Sequence, residues 1–257
     1  MRHPPVRIQE HSGATLTAAQ LLAMSQLRSS VMQIKPDVDP ARDFEKFCVF
    51  CQRCRTVCLF YAPNGELVGM TNFLLEVLPD PAGRQHWFIN PDYIFMRADY
   101  RGHPALPRCL LRVMLRYLLL WRGEPIWFGG LGYPTSLMFV DDICDALQLS
   151  SDPAQPDMGR HLIERLIQDC GSNWDARRGC ASMPTVPPPM GARWLQQAEQ
   201  SPFYQRYVAA CPDWQNGYAL VGIARLHPLS AIARMLGKGL RRVLGRREPV
   251  GGHAGRD

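Results

Sequence analysis

Four cysteines in one short run, Cys48-x-x-Cys51-x-x-Cys54-x-x-x-Cys58, have the spacing of thiolates that hold iron–sulfur clusters in bacterial ferredoxins. The chemistry would be one-electron transfer. The residues between them point elsewhere: Val, Phe, Gln, Arg, Arg, Thr and Val stand where ferredoxin loops are small, Leu59 follows where they have proline, and no second motif exists. If the run is a strand, its side chains alternate between two faces and do not converge on a metal. Buried cysteine also serves as a small apolar residue. No histidine is close enough in sequence to complete a zinc site, so no metal is expected.

A second group of residues could bind an anion. Tyr100-Arg101-Gly102-His103-Pro104-Ala105-Leu106 joins His86–Asp99, rich in aromatic and β-preferring residues, to an apolar stretch, Pro107–Trp121, whose only charges are Arg108, Arg112 and Arg116. The first run predicts a strand, kinked or bulged at Pro91. The four-residue spacing predicts a helix with its arginines on one stripe and its other faces buried across a sheet. Glu124–Phe128 supplies a second short strand. A turn that opens a helix beside a sheet gathers free backbone N–H groups and the positive end of a helix dipole, which favour phosphate. Arg101 adds a fixed charge.

At these residues the chain resembles the GNAT superfamily of N-acyltransferases, in which a strand, a pyrophosphate-binding turn and a helix hold coenzyme A. The family pattern is Arg or Gln, two variable residues, Gly, one variable residue, then Gly or Ala. Arg101 matches, with Tyr100 and Gly102 beside it, while Pro104 and Leu106 stand where the family has small residues. Proline has no N–H to offer a phosphate, and leucine limits how closely a backbone can approach one. The resemblance implies an α/β (α+β) fold, a mixed and mostly antiparallel central sheet flanked by helices, with a mainly helical C-terminal extension. It implies contacts to the acyl-CoA from Phe95, Met96, Arg97, Arg101, Gly102, His103, Ala105 and Leu106. It also implies a thioester carbonyl between the two central strands and a tyrosine, on the helix that follows, protonating the departing thiolate. The comparable place holds Phe139, which leaves Tyr133 as the nearest substitute. Asp92 and Glu76, on predicted strands near the cleft, are candidate bases for the attacking ammonium. His103 is a third, unless it contacts phosphate.

The elements that must position these groups can be read in order. Pro5–Glu10 predicts a first strand, and Thr17-x-x-Gln20 is a capping box that opens a helix reaching about Met32. Asp43–Lys46 reads as a short second helix. Phe47–Pro63 and Glu66–Leu78 read as two β runs joined by Asn64-Gly65, the strongest short-range hairpin signal. Helices, then a hairpin, then the central unit match the GNAT order over Pro5 to about Leu149. Phe128–Pro134 is a glycine-rich turn leaving the second strand, with backbone room for a ligand or a bulge. Ser136–Leu147 reads as a helix. This organisation gives a core over 1–149, an extension completing the sheet and cleft over 150–227, and a basic amphipathic helix and tail over 228–257. In the extension, Met158–Cys170 predicts an amphipathic helix, Gly171–Met190 an extended loop, and Tyr218–Ala224 a strand that extends the sheet.

With 257 residues, 46% of them hydrophobic, the chain can bury a substantial core. Met1–Pro5 leads into polar sequence rather than an apolar signal, and the arginine stripe interrupts the longest apolar run. Nine cysteines in that context predict reduced thiols in a cytoplasm. The last helix, Leu229–Leu244, sets Leu229, Ile232, Leu236, Leu240 and Val243 against Arg234, Lys238, Arg241 and Arg242, a pattern suited to an anionic membrane surface or to packing on the domain. Nucleic acid is not an expected partner, because the basic residues carry no interleaved aromatics. The leading reading is an enzyme moving an acyl group from a coenzyme A or acyl carrier protein thioester to an amine. The competing readings are a GNAT-shaped binding or scaffold protein without turnover, and an iron–sulfur protein using the cysteine run.

Overall fold

The computed structural model describes residues 4–80, 82–153, 157–191, 195–196 and 198–234. After strand β1 (Arg7–His11), the capping box forms as the sequence predicts. The Thr17 backbone N–H donates to Gln20 Oε1 at 2.9 Å and the Gln20 N–H donates to Thr17 Oγ1 at 3.2 Å, which fixes the start of α1 (Ala18–Val31). A two-residue strand, β2 (Gln33–Ile34), leads to α2 (Pro40–Arg53). Here the sequence reading needs correction: the second helix runs through Phe47, Cys48 and Cys51, which that reading places in a β run. Asp39 Oδ1 accepts the Ala41 N–H at 2.9 Å, Pro40 supplies a preset φ at the first helical position, and Phe47 and Cys51 lie on one buried face at helical spacing.

The Asn64-Gly65 turn, with Gly65 at φ +84°, joins β3 (Thr56–Tyr61) to β4 (Leu67–Pro79), and β5 (Gln85–Met96) follows. Next come α3 (Ala105–Leu120), β6 (Ile126–Gly132), α4 (Pro134–Ile143) and β7 (Asp145–Leu149). Two expectations shift here. The glycine run lies inside β6 rather than in a turn after it, and the helix expected to reach Leu147 stops at Ile143, where the chain enters β7. Then come α5 (Asp157–Cys170), β8 (Trp174–Asp175), β9 (Cys180–Ser182), β10 (Thr185–Val186), α6 (Pro202–Ala210) and β11 (Tyr218–Leu226).

The central sheet runs β1-β3-β4-β5-β6-β11, with β9 and β7 sharing the far edge of β11 and β8 beyond β9. Its pairings are antiparallel except β5 with β6, which is parallel. Helices cover both faces. On one, α1 and α2 bury Leu21, Met24, Leu27, Phe47 and Cys51 against Met70 and Leu74, while α5 packs Leu162 and Ile163 on Phe88, Trp127 and Ile223. On the other, α3, α4 and α6 bury Val113, Tyr117, Leu137 and Tyr207 against Phe73, Ile89 and Phe128. Among the described residues no helix is long and apolar enough to cross a membrane. Of the C-terminal helix, only the first turns are described: Leu229 is exposed, Ala231 is buried, and Arg234 donates to the Cys144 carbonyl at 2.6 Å. The rest of the amphipathic pattern, from residue 235, lies outside the described residues.

Candidate active site

β5 and β6 run side by side only from Trp87–Ile126 to Ile89–Phe128. Beyond that point the Asn90 side chain reaches across to Gly130 of β6. Its side-chain oxygen lies where a Cβ on Gly130 would stand, so only glycine fits at 130. Two residues further on, β5 bulges. Asn72 faces Asp92 and Met70 faces Phe95, so Thr71 alone opposes Tyr93 and Ile94. Tyr93 takes φ +49°, a left-handed conformation that costs a non-glycine residue roughly 1–3 kcal/mol. The kink expected at Pro91 is therefore real and sits at Tyr93. A strand bulged beside the point where it parts from a parallel neighbour, reached through the strand–helix–helix–hairpin order, decides the architecture. It is the mixed, mostly antiparallel sheet flanked by helices that the resemblance to the GNAT superfamily implies.

The bulge turns Asp92 toward α2, into a cleft of about 340 Å³ between α2 and α5. Glu76 lines the same cleft, so the two candidate carboxylates are brought together on one face. Their surroundings differ. Glu76 is held between Arg53 of α2, at 3.2 Å, and Arg165 of α5, at 2.8 Å. Among the described residues Asp92 has no such pair: its Oδ1 accepts the Tyr93 N–H at 2.7 Å, and burial lifts its pKa to about 6 against the pull of that bond and of Arg28. A carboxylate near 6 can take a proton from an ammonium and still be ionised at neutral pH.

Arg28 is the one charged side chain of α1 and is buried. It pairs with Asp43, and its guanidinium stacks 4.9 Å from the Phe47 ring centre and 5.9 Å from that of Tyr93. Asn72 donates to Cys51 Sγ at 3.3 Å behind the bulge. Burial first, and the charge of Asp92 second, push the Cys51 thiol up to about 12, so it is a protonated core residue and not a nucleophile. The cysteine run does not converge: Cys51 and Cys54 point into the α1–α2 side of the sheet and Cys58 into the α3 side.

Tyr133 and His103 lie away from the cleft. The Tyr133 hydroxyl is buried, donates to the Thr185 carbonyl at 2.6 Å, and is held above its ordinary pKa by burial. His103 is also buried. Its Nδ1 accepts the Ala105 N–H at 3.0 Å, which puts the proton on Nε2, 3.0 Å from the Pro4 carbonyl. The other residues expected to touch a thioester donor lie at the end of β5 and in the segment that follows it. Phe95 packs 6.4 Å from the Tyr93 ring on the α1–α2 side, and Met96 is buried against Gly69. Arg97 pairs with Asp99 at 2.7 Å and with Glu66, and stacks on Tyr100. Arg101 and Gly102 are exposed, the latter at φ +78°.

The first turn of the helix is closed. Pro104 and Pro107 have no N–H, the Ala105 N–H goes to the His103 ring, the Leu106 N–H to the His103 carbonyl at 3.4 Å, and the Arg108 N–H to the Pro104 carbonyl at 3.3 Å. The imidazole thus occupies the donor that a helix N-terminus would turn toward a phosphate.

Sequence reading misses Arg28, Arg53, Arg165 and Asn90. A lone arginine four residues after Met24, on the apolar stripe of α1, is a usable signal for the first. Nothing local marks the other three, which acquire their roles from strand pairing and helix placement. No family model and no curated protein matches the chain. Among solved structures, it is similar to an acyl-CoA N-acyltransferase from Pseudomonas aeruginosa, with 16% identity over 52% of this chain and 82% of that one and a TM-score of 0.36. Escherichia coli ElaA gives 16%, 60%, 94% and 0.36 in the same order. The GNAT family N-acetyltransferase YhbS from Escherichia coli, solved in complex with CoA, gives 13%, 51%, 66% and 0.33. Likeness at this level carries no argument about chemistry.

Proposed function

We propose that this protein is an N-acyltransferase that accepts an acyl group from a thioester and passes it to an amine seated in the cleft between α2 and α5. The observation that carries this reading is Asp92, a carboxylate with a pKa of about 6, on the bulge beside the gap where β5 leaves β6. Asp92 takes a proton from the ammonium. The freed amine attacks the thioester carbonyl in the gap, where strand edges no longer paired to each other can offer N–H groups to the developing oxyanion. The carbon–sulfur bond breaks and the thiolate leaves, taking through water the second proton that the acylated nitrogen sheds, since the Tyr133 hydroxyl is bonded elsewhere. Glu76, between two arginines, is better suited to shaping the cleft than to moving protons.

The closed turn supports a donor held by its pantetheine arm and acyl chain rather than by a pyrophosphate. Such a donor is a carrier-protein thioester, or an acyl-CoA whose nucleotide contributes little. The nine free thiols support a reducing, cytoplasmic setting, and the basic sequence after Leu229 supports contact with an anionic membrane surface. The turn also favours a second reading, a GNAT-shaped binding protein without turnover. Native mass spectrometry with matched acyl-pantetheine and acyl-CoA series, followed by amine acylation assays, separates the two. Comparable binding of both thioesters with product formation is expected. Binding without product would select the second reading, and no binding of either thioester would remove both.

A further inference from the structure

The acceptor can be specified further from the layout of the cleft, on the reading that this cleft is the acceptor site. Asp92 pairs across β4 with Asn72, and Glu76 pairs across β5 with Phe88. Four residues of strand separate the two positions, about 13 Å at roughly 3.3 Å per residue. Between them the floor is Leu74 beside Asn90, with Phe88 next to Glu76, and the walls are apolar, Phe50 on α2 and Leu162 and Leu166 on α5. At the far end, one carboxylate stands between two guanidiniums that reach in from opposite walls. Glu76 uses one oxygen for Arg53 and the other for Arg165, the arginines are 54% and 30% exposed, and each keeps further N–H donors for another anion. Asp169, a further acid lining the cleft, is exposed on α5 and makes no ion pair among the described residues.

We infer that the acceptor is a two-headed amphiphile, a primary amine joined through an apolar body to a carboxylate or phosphate, with the amine at Asp92 and the anion between Arg53 and Arg165. A small polar amine would leave the apolar walls wet. A plain alkylamine would gain nothing from the guanidiniums.

The test is calorimetric and needs no donor, so it stands apart from turnover. The full chain is titrated with ω-aminoalkanoates of increasing length and with alkylamines of matching length. The aminoalkanoate that spans the cleft should bind about tenfold or more tighter than its alkylamine, with a clear optimum in length, because a charge-assisted contact is gained only when both ends reach. Arg165→Gln and, separately, Arg53→Gln should shrink that ratio toward one. Both residues are surface-facing on different helices, so loss of folding in one variant leaves the other informative. Equal binding of aminoalkanoate and alkylamine, a ratio unmoved in both variants, or no binding by any member at millimolar concentration would overturn the inference. Selective binding without acylation would keep it and sink the proposed activity instead.

Discussion

Replacing Asp92 by asparagine should make the protein more stable and less active, and both effects should follow pH. The carboxyl titrates at about 6 in the fold against an ordinary 3.8, chiefly because burial penalises its charge. The unfolded chain therefore releases this proton near pH 4, while the native protein holds it until about pH 6. Stability is lost as pH rises through that window and stays lost above it. A shift of roughly two units corresponds to about 3 kcal/mol, and a realistic range is roughly 1–3 kcal/mol. The side-chain amide introduced by Asp92→Asn can still accept the Tyr93 N–H and carries no charge to desolvate. Urea unfolding of both proteins from pH 3.5 to 8 should give coincident stabilities at the acid end and a growing advantage for Asp92→Asn up to about pH 6.5, then a plateau. In the acylation assay, kcat/KM of the unmodified protein should rise through about pH 6, and the variant should lose that limb with roughly 10²–10⁴-fold of its rate. A variant less stable than the parent at pH 8, or a stability difference independent of pH, would refute the argument that Asp92 is strained by its burial.

Arg28→Met should cost roughly 3–5 kcal/mol by leaving Asp43 buried without its partner, and should move the acid limb of activity upward, since Arg28 draws the Asp92 pKa down; a limb that stays at about 6 counts against this coupling. Arg101→Ala should leave thioester affinity within a factor of about two, whereas a loss of tenfold or more would show that phosphate is held at this turn after all. His103→Ala removes the ring that receives the Ala105 N–H and should lower stability by about 1 kcal/mol in thermal unfolding without weakening the donor. Protein purified without oxygen should be colourless and free of inorganic sulfide; stoichiometric iron would contradict the divergence of Cys51 and Cys58 across the sheet.

Where a signal is local, the sequence is a good guide. The Thr17–Gln20 box, the Asn64-Gly65 hairpin and the arginine stripe of α3 each encode an element whose causes lie within a few residues. The cysteine stretch misleads because valine, phenylalanine and cysteine suit a strand as well as a buried helical face, and the N-cap at Asp39 settles the matter nine residues before Cys48. The glycines of β6 read as a turn because their cause is remote: Gly130 yields to Asn90, and a Cβ on Gly129 would strike the Gly222 carbonyl of β11. The carboxylates are legible as a pair on adjacent strands. Their division of labour is not, because it depends on Arg28, Arg53 and Arg165, contributed by three different helices.

The strand that closes the sheet beside β6 is synthesised long after β6 itself. Leu226 follows Gly132 by 94 residues (226 − 132), and until β11 emerges the glycine-rich edge of β6 has no neighbour on that side. At about 5–20 residues per second, the nascent chain carries an open edge in the middle of its future sheet for roughly 5–20 seconds. Such an edge invites pairing with another chain. Glycine at 129, 130 and 132 makes β6 a poor template for that pairing, since it lacks the side chains that would hold a foreign strand in register. The same run that makes room for Asn90 and Gly222 in the finished molecule thus shields the unfinished one. Any shortened form ending before Tyr218 would keep the edge open permanently and aggregate in proportion to its concentration.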